Sequence, residues 1–186
     1  MIVLEGSLVR LRPFEPAEFD VLWGAVSGAD PTVAVGKPDA DGLRTRVEAS
    51  GRLTERELLL AVEAERRLIG SIQAYRKGVP AGVFELGIEL FEERDRGHGF
   101  GAEAIALFVE HLFDSQGARR VEAGTADDNI AMRAVLQRVG FRQEGILRRF
   151  YPSDDDRGID CAMYGMTRED FAAPSERVPT SPSSLE

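Results

Sequence analysis

The chain has 186 residues, of which 43% are hydrophobic and 30% charged, with a formal net charge of −9. That length suits one domain with a sizeable core, and the acidic balance argues against a nucleic-acid partner, which needs a basic face. The single cysteine, Cys161, excludes an internal disulfide and fits a reducing compartment. No basic segment with a long apolar run opens the chain, and no stretch approaches ~18 apolar residues, so neither a signal peptide nor a membrane partner is expected, and a cytoplasmic location is.

Leu8-Val9-Arg10-Leu11-Arg12 alternates apolar and polar residues and predicts a first strand, closed by Pro13. A helix is expected from Pro16 to about Val26, with Pro16 near its first position and Glu18 in its first turn. A second helix is expected over Asp41 to Ala49. Leu58–Glu63 and Leu68–Tyr75 read as paired strands around the charged turn Ala64-Glu65-Arg66. Val83 to Phe91 alternates imperfectly and reads as a central strand.

From Gly99 to Ser115 the apolar residues Ile105, Phe108, Val109 and Leu112 follow helical spacing, and Gly117 stops the helix. Arg120–Thr125 reads as a short strand. Asp127-Asp128-Asn129 suits a helix start, and that helix runs to Val139 and ends at Gly140. Phe141–Phe150 and Ile159–Thr167 read as two last strands, joined by a polar loop containing Asp154, Asp155 and Asp156. Strands on both sides of the 99–115 helix imply a βαβ unit and one parallel pair among antiparallel hairpins. Residues 172–186 hold three prolines and four serines without periodicity, so a domain over 1–171 and a disordered tail are expected.

The segment that carries most chemistry is Arg94-Asp95-Arg96-Gly97-His98-Gly99-Phe100-Gly101, immediately before Ala102 and the helical pattern. Glycine lets backbone N–H groups approach a ligand without a Cβ in the way. A helix N-terminus adds unpaired donors and partial positive charge. Together they form a seat for phosphate oxygens. A P-loop needs Gly-Lys-Ser/Thr, whereas Gly101 is followed by Ala102-Glu103. Gly97-x-Gly99-x-x-Ala102 satisfies a dinucleotide fingerprint formally, and Glu122 lies near the distance of a ribose carboxylate, but too many strands precede it. A turn that merely packs a helix on a strand is the remaining structural alternative, and three alternating glycines are entropically costly for that task alone.

Arg94-x-x-Gly97-x-Gly99 resembles the Arg/Gln-x-x-Gly-x-Gly/Ala motif of the GNAT N-acetyltransferases. Other segments extend the likeness: Leu8–Pro13 at the first strand, and Asn129-x-x-Met132 followed by Val139-Gly140-Phe141. Glu144-Gly145-Ile146-Leu147-Arg148, Gly158-Ile159-Asp160 and Met163-Tyr164-Gly165-Met166 are similar to the ending of the RimJ/RimL-like branch. The likeness runs from about Leu4 to Phe171. It implies an α+β fold: a mixed, largely antiparallel sheet of about six or seven strands with a splayed central pair, flanked by about four helices.

The resemblance further implies an acyl-CoA-dependent N-acyltransferase using acetyl-CoA, with no metal. The acceptor would be a primary amine: a protein N-terminal α-amine, or a small amine such as a polyamine, amino acid or aminoglycoside. A monomer or homodimer is expected, since an exposed sheet edge can pair with another copy. A non-catalytic acyl-CoA sensor is the alternative. The implied cofactor-binding residues are Ile88, Glu89 and Leu90, whose backbone would polarise the thioester, Arg94 through Ala102 (Arg94, Asp95, Arg96, Gly97, His98, Gly99, Phe100, Gly101, Ala102), and Asn129. Glu85 and Glu89 share a strand face and are candidate bases. The family's usual acids are missing: Leu136 stands where many members have tyrosine, and Met132 where many RimJ/RimL-like sequences have serine. Tyr151 is then the candidate acid, with Tyr164 as a second. Asp160 is expected to pair with Arg148 or Arg149, or to face the acceptor.

Overall fold

A computed structural model describes residues 1–28, 39–78, 80–153 and 157–173. The tail expected from 172 onward lies outside the described residues from 174, and so do Asp154, Asp155 and Asp156. One sheet of eight strands organises the described chain. The strands are β1 (Leu4–Glu5), β2 (Arg10–Arg12), β3 (Glu57–Ala64), β4 (Arg67–Arg76), β5 (Val83–Leu90), β6 (Arg120–Ala126), β7 (Arg142–Tyr151) and β8 (Ile159–Thr167), in spatial order β1-β2-β3-β4-β5-β6-β8-β7. Five α-helices flank them: α1 (Phe19–Gly28), α2 (Ala40–Ala49), α3 (Phe100–Ser115), α4 (Ile130–Val139) and α5 (Arg168–Ala172).

The fold class expected from the sequence is therefore found, with one more strand and one more helix. The extra strand, β1, has two residues and is too short to show a period. The extra helix, α5, opens on a capping box in which Thr167 and Asp170 bond reciprocally. It carries helix one residue past the expected domain end at 171.

Two apolar layers hold the sheet. On one face, Ile105, Phe108 and Leu112 of α3 and Leu136 and Val139 of α4 pack on Leu58, Leu60, Ile72, Phe84, Leu86, Val121 and Ala123. On the other, Leu22 of α1 and Leu43 and Val47 of α2 cover Leu59 and Ala61. β3 therefore buries residues on both sides, and its unbroken Leu58-Leu59-Leu60-Ala61-Val62 run follows from that.

α3 crosses from β5 to β6, which pair in parallel, while every other neighbouring pair described is antiparallel. No helix among the described residues is long and apolar enough to cross a membrane.

Candidate active site

The parallel pairing of β5 with β6 covers Val83–Leu86 and Arg120–Ala123 and goes no further. Each strand continues on its other side, β5 to Leu90 opposite Gly70 of β4 and β6 to Ala126 opposite Cys161 of β8. The two strands thus part after Leu86 and Ala123. The N–H of Phe91 donates to the Ile69 carbonyl at 2.9 Å. Backbone direction alternates along a strand, so Glu89 and Gly87 also turn their N–H groups to β4. Ile88 and Leu90 turn theirs into the opening.

The glycine loop closes one end of this opening. A single 3₁₀ turn over Glu93–Asp95 is followed by Arg96 in an extended conformation. Gly97 and Gly99 have φ of +81° and +86°, the left-handed region that side chains rarely adopt. A Cβ at Gly97 would meet nothing within 4 Å, and one at Gly99 only Leu8 Cδ1 at 3.4 Å. These glycines are required by the backbone turn and not by crowding. The first bond of α3 runs from Glu103 N–H to Gly99 C=O at 3.0 Å. The N–H groups of Phe100, Gly101 and Ala102 therefore have no acceptor within the helix.

Side chains of the loop play other parts. Asp95 is buried and accepts two bonds from Arg67 of β4, at 2.6 and 3.1 Å. The Arg67 guanidinium holds its carboxyl below the usual range. Asp95 thus ties the loop to the sheet. Arg94 is exposed and pairs with Glu92 at 2.8 Å. His98 packs its ring against Phe100, centroids 5.7 Å apart. Arg96 alone leans toward the opening, with Nη2 3.5 Å from the Leu90 carbonyl.

Glu85 and Glu89 flank Gly87 on the sheet face opposite α3. They differ in setting. Glu85 pairs with Lys77 at 3.0 Å, and Lys77 also reaches Glu122 at 3.2 Å. Glu89 has no ion pair among the described residues; burial raises its carboxyl above the usual range, and nearby Arg96 opposes this in part. Tyr151, at the end of β7, stands over the first β6 residue past the split. A Cβ on Gly124 would lie 3.5 Å from the Tyr151 hydroxyl, 3.1 Å from Cys161 Sγ and 3.3 Å from Met163 Sδ. The Cys161 thiol donates to the Tyr151 hydroxyl at 3.4 Å. Burial, then this contact, pushes the phenol well above its ordinary value.

Three other expected residues are engaged structurally. Asn129 caps α4, its Oδ1 accepting the Met132 N–H at 3.0 Å. Asp160 accepts the Arg149 backbone N–H at 2.7 Å, where β7 bulges and Arg149 takes a φ of +54°. Tyr164 is fully buried, and Arg133 donates to its hydroxyl at 3.3 Å. Leu136 is core and Met132 packs against it.

Glu103 and Gln73 have roles that no local sequence pattern marks. The Glu103 carboxylate accepts the N–H groups of Ser7, Leu8 and Val9 at 2.9, 2.7 and 2.8 Å, bracing the start of α3 against the first hairpin. Gln73 faces Gly87 across β4 and β5.

The glycine turn leading into α3, with N–H groups unpaired within the helix and the β5–β6 pairing ended at Leu86 and Ala123, is a backbone arrangement suited to an anionic ligand beside a split parallel pair. Residues 9–142 match the acetyltransferase (GNAT) domain model, and the chain belongs to this family of N-acetyltransferases. "Probable N-acetyltransferase YjcK" of Bacillus subtilis (strain 168) is 28% identical over 160 residues, covering 79% of this chain and 87% of that protein. Two solved structures share the fold. Mycobacterium smegmatis RimJ in complex with CoA-disulfide superposes with a TM-score of 0.71 at 22% identity, over 92% of this chain and 87% of that one. RimL, a ribosomal L7/L12 alpha-N-protein acetyltransferase in complex with coenzyme A, superposes with a TM-score of 0.74 at 16% identity, over 89% and 98%. The expected RimJ/RimL likeness is thus met at the level of fold.

Proposed function

We propose that this acetyltransferase carries an acyl group, acetyl in the first instance, from coenzyme A to a primary amine by direct attack on the thioester. One observation carries the reading: the β5–β6 pairing ends at Leu86 and Ala123, beside a turn whose N–H groups are free for an anion. The diphosphate sits on the backbone from Gly97 to Ala102, where peptide dipoles favour negative charge. The pantetheine arm enters the opening and bonds the edge of β5. Ile88 or Leu90 N–H then donates to the thioester oxygen as it gains charge. Asn129 adds a contact to the arm from the head of α4.

The amine must be neutral to attack. For an α-amine of pKa ~8 its deprotonation at pH 7 costs about 1 kcal/mol, and for a lysine-like amine of pKa ~10.4 about 4–5 kcal/mol. Glu89 is the base best suited to take that proton, because it is unpaired and its burial favours the protonated form. Glu85 is the weaker candidate, held by Lys77. As nitrogen bonds to the carbonyl carbon, the C–S bond breaks. The leaving thiol has a pKa of ~8.5, below the ordinary ~10 of a tyrosine, and Tyr151 is raised above that. Tyr151 therefore donates a hydrogen bond to the departing sulfur, and full proton transfer is not required.

The test is an acetyl-CoA assay against a panel of α-amines, amino acids, polyamines and aminoglycosides, following free thiol. Amine-dependent release is expected. Tight acetyl-CoA binding without release for any amine overturns the reading and favours a sensor.

A further inference from the structure

We infer that Gln73 is a specificity-determining residue whose side-chain amide donates to the carbonyl oxygen beside the acceptor's amine, so that the acceptor is an α-amino acyl compound such as an N-terminal residue. The inference rests on the amine-acylation reading above and narrows its substrate class.

Gln73 stands opposite Gly87 in the β4–β5 register, with Glu85 and Glu89 on either side of Gly87. A Cβ on Gly87 would lie 3.2 Å from Gln73 Nε2 and 3.6 Å from its Cγ. The glutamine thus lies across the bare backbone of Gly87, on the face that carries both carboxylates. Which end of the amide points there is decided by Arg46 of α2. Its Nη2 donates to Gln73 Oε1 at 3.0 Å. A guanidinium has no acceptor, so the oxygen must be the end that meets it. Arg46 is itself fixed by a two-point pair with Glu57 at 2.6 and 2.9 Å and a contact to the Tyr75 hydroxyl at 3.2 Å. The NH₂ is thereby presented over Gly87, and among the described residues it has no acceptor.

The charge around it selects the acceptor. A polyamine would need a second anion beside the reacting nitrogen, but Glu85 already pairs with Lys77, which Glu122 shares. What remains is one unpaired carboxylate, Glu89, next to one fixed neutral donor. An amine with a carbonyl one carbon away matches that pair: nitrogen toward Glu89, oxygen toward Gln73. The same spacing does not exist in a simple alkylamine.

Alaninamide and isopropylamine share a skeleton and differ by the carboxamide. In the full chain, Gln73→Met is expected to lower kcat/KM for alaninamide by about tenfold to a hundredfold while changing isopropylamine by less than about twofold. Gln73→Leu removes the donor with a second neutral side chain of different shape, and the same selective loss is expected. Equal losses for both amines, or none for alaninamide, overturn the inference. Calorimetry on the coenzyme A-loaded protein reads recognition without turnover: alaninamide should bind more weakly to both variants than to the wild type. Unchanged binding, or no alaninamide binding to the wild type, also overturns it. A wild type that binds alaninamide selectively through Gln73 yet releases no thiol with any amine counts against acyl transfer alone.

Discussion

Leu86 and Ala123 face each other as the last partners of β5 and β6, and the residue after Ala123 is a glycine crowded by Cys161, Met163 and Tyr151. The end of backbone pairing and the start of the candidate chemistry therefore coincide. Beyond Leu86, β5 offers donors from Ile88 and Leu90. Beyond Ala123, β6 yields space to a phenol and two sulfurs.

The glycine turn supplies the first prediction. Gly99 sits at φ +86° with only Leu8 Cδ1 at ordinary contact distance, 3.4 Å from where a Cβ would lie, so a substitution acts chiefly through backbone strain. Gly99→Val forces a β-branched residue into the left-handed region at about 1–3 kcal/mol. Acetyl-CoA affinity should fall by roughly tenfold or more in calorimetry. Asparagine tolerates that region, so Gly99→Asn should keep most of it. Equal behaviour of the two variants would remove the turn from the binding site.

That turn was legible in the sequence because its chemistry is main-chain chemistry, announced by Gly97 and Gly99 and a helical period behind them. The strands and the helices at 100–115 and 130–139 were legible from period and from Asn129 as a cap. Glu103 was hidden, since its partners lie 94 to 96 residues away and a carboxylate at helix position 103 looks like an ordinary first-turn acid. Gln73 was hidden because its role depends on which strand lies beside it. Glu85 and Glu89 looked equivalent by spacing, and only Lys77, across a turn, separates them. The Thr167–Asp170 capping box is a readable signal for α5, masked by the alternation of the strand before it.

Glu89 carries the pH prediction. Burial raises its folded pKa above the usual 4.5. A base works when deprotonated, so kcat/KM should rise with pH through a limb displaced above the ordinary carboxylate range, apart from the limb of the amine itself. Glu89→Gln should abolish the Glu89 limb and cost about 10²–10⁴ in kcat/KM. Glu85→Gln should cost much less. Stability should move the other way. Because the folded state binds this proton more tightly than the unfolded one, stability falls as pH rises between the two values. Glu89→Gln is thus expected to unfold no earlier than wild type at pH 7. A variant that is both inactive and unstable would point to a structural role.

Tyr151→Phe removes the hydroxyl proposed to meet the departing sulfur and keeps the ring against Phe150, whose centroid is 5.0 Å away. The loss should appear in kcat, by about 10², with little change in KM for acetyl-CoA. A thiol poorer as a leaving group should suffer more than a better one. A uniform loss across such donors, or a change confined to KM, would place Tyr151 in binding alone.

Glu103 tests whether the glycine turn depends on the first hairpin. Its side chain is buried, and it satisfies backbone donors of Ser7, Leu8 and Val9 at once. Glu103→Ala leaves those donors without their acceptor, and each such buried group costs about 1–3 kcal/mol. Some will find water, since Ser7 and Leu8 are exposed, so a total near 2–4 kcal/mol is expected in urea unfolding, with the denaturant slope unchanged. Gly6 stands so close that its Cβ would fall 2.6 Å from Glu103 Oε2, and Gly6→Ala should destabilise through the same contact. Because α3 begins at this brace, acetyl-CoA should bind more weakly to Glu103→Ala even below its melting temperature. If affinity stays at the wild-type value while stability drops, the brace supports the sheet edge and not the turn.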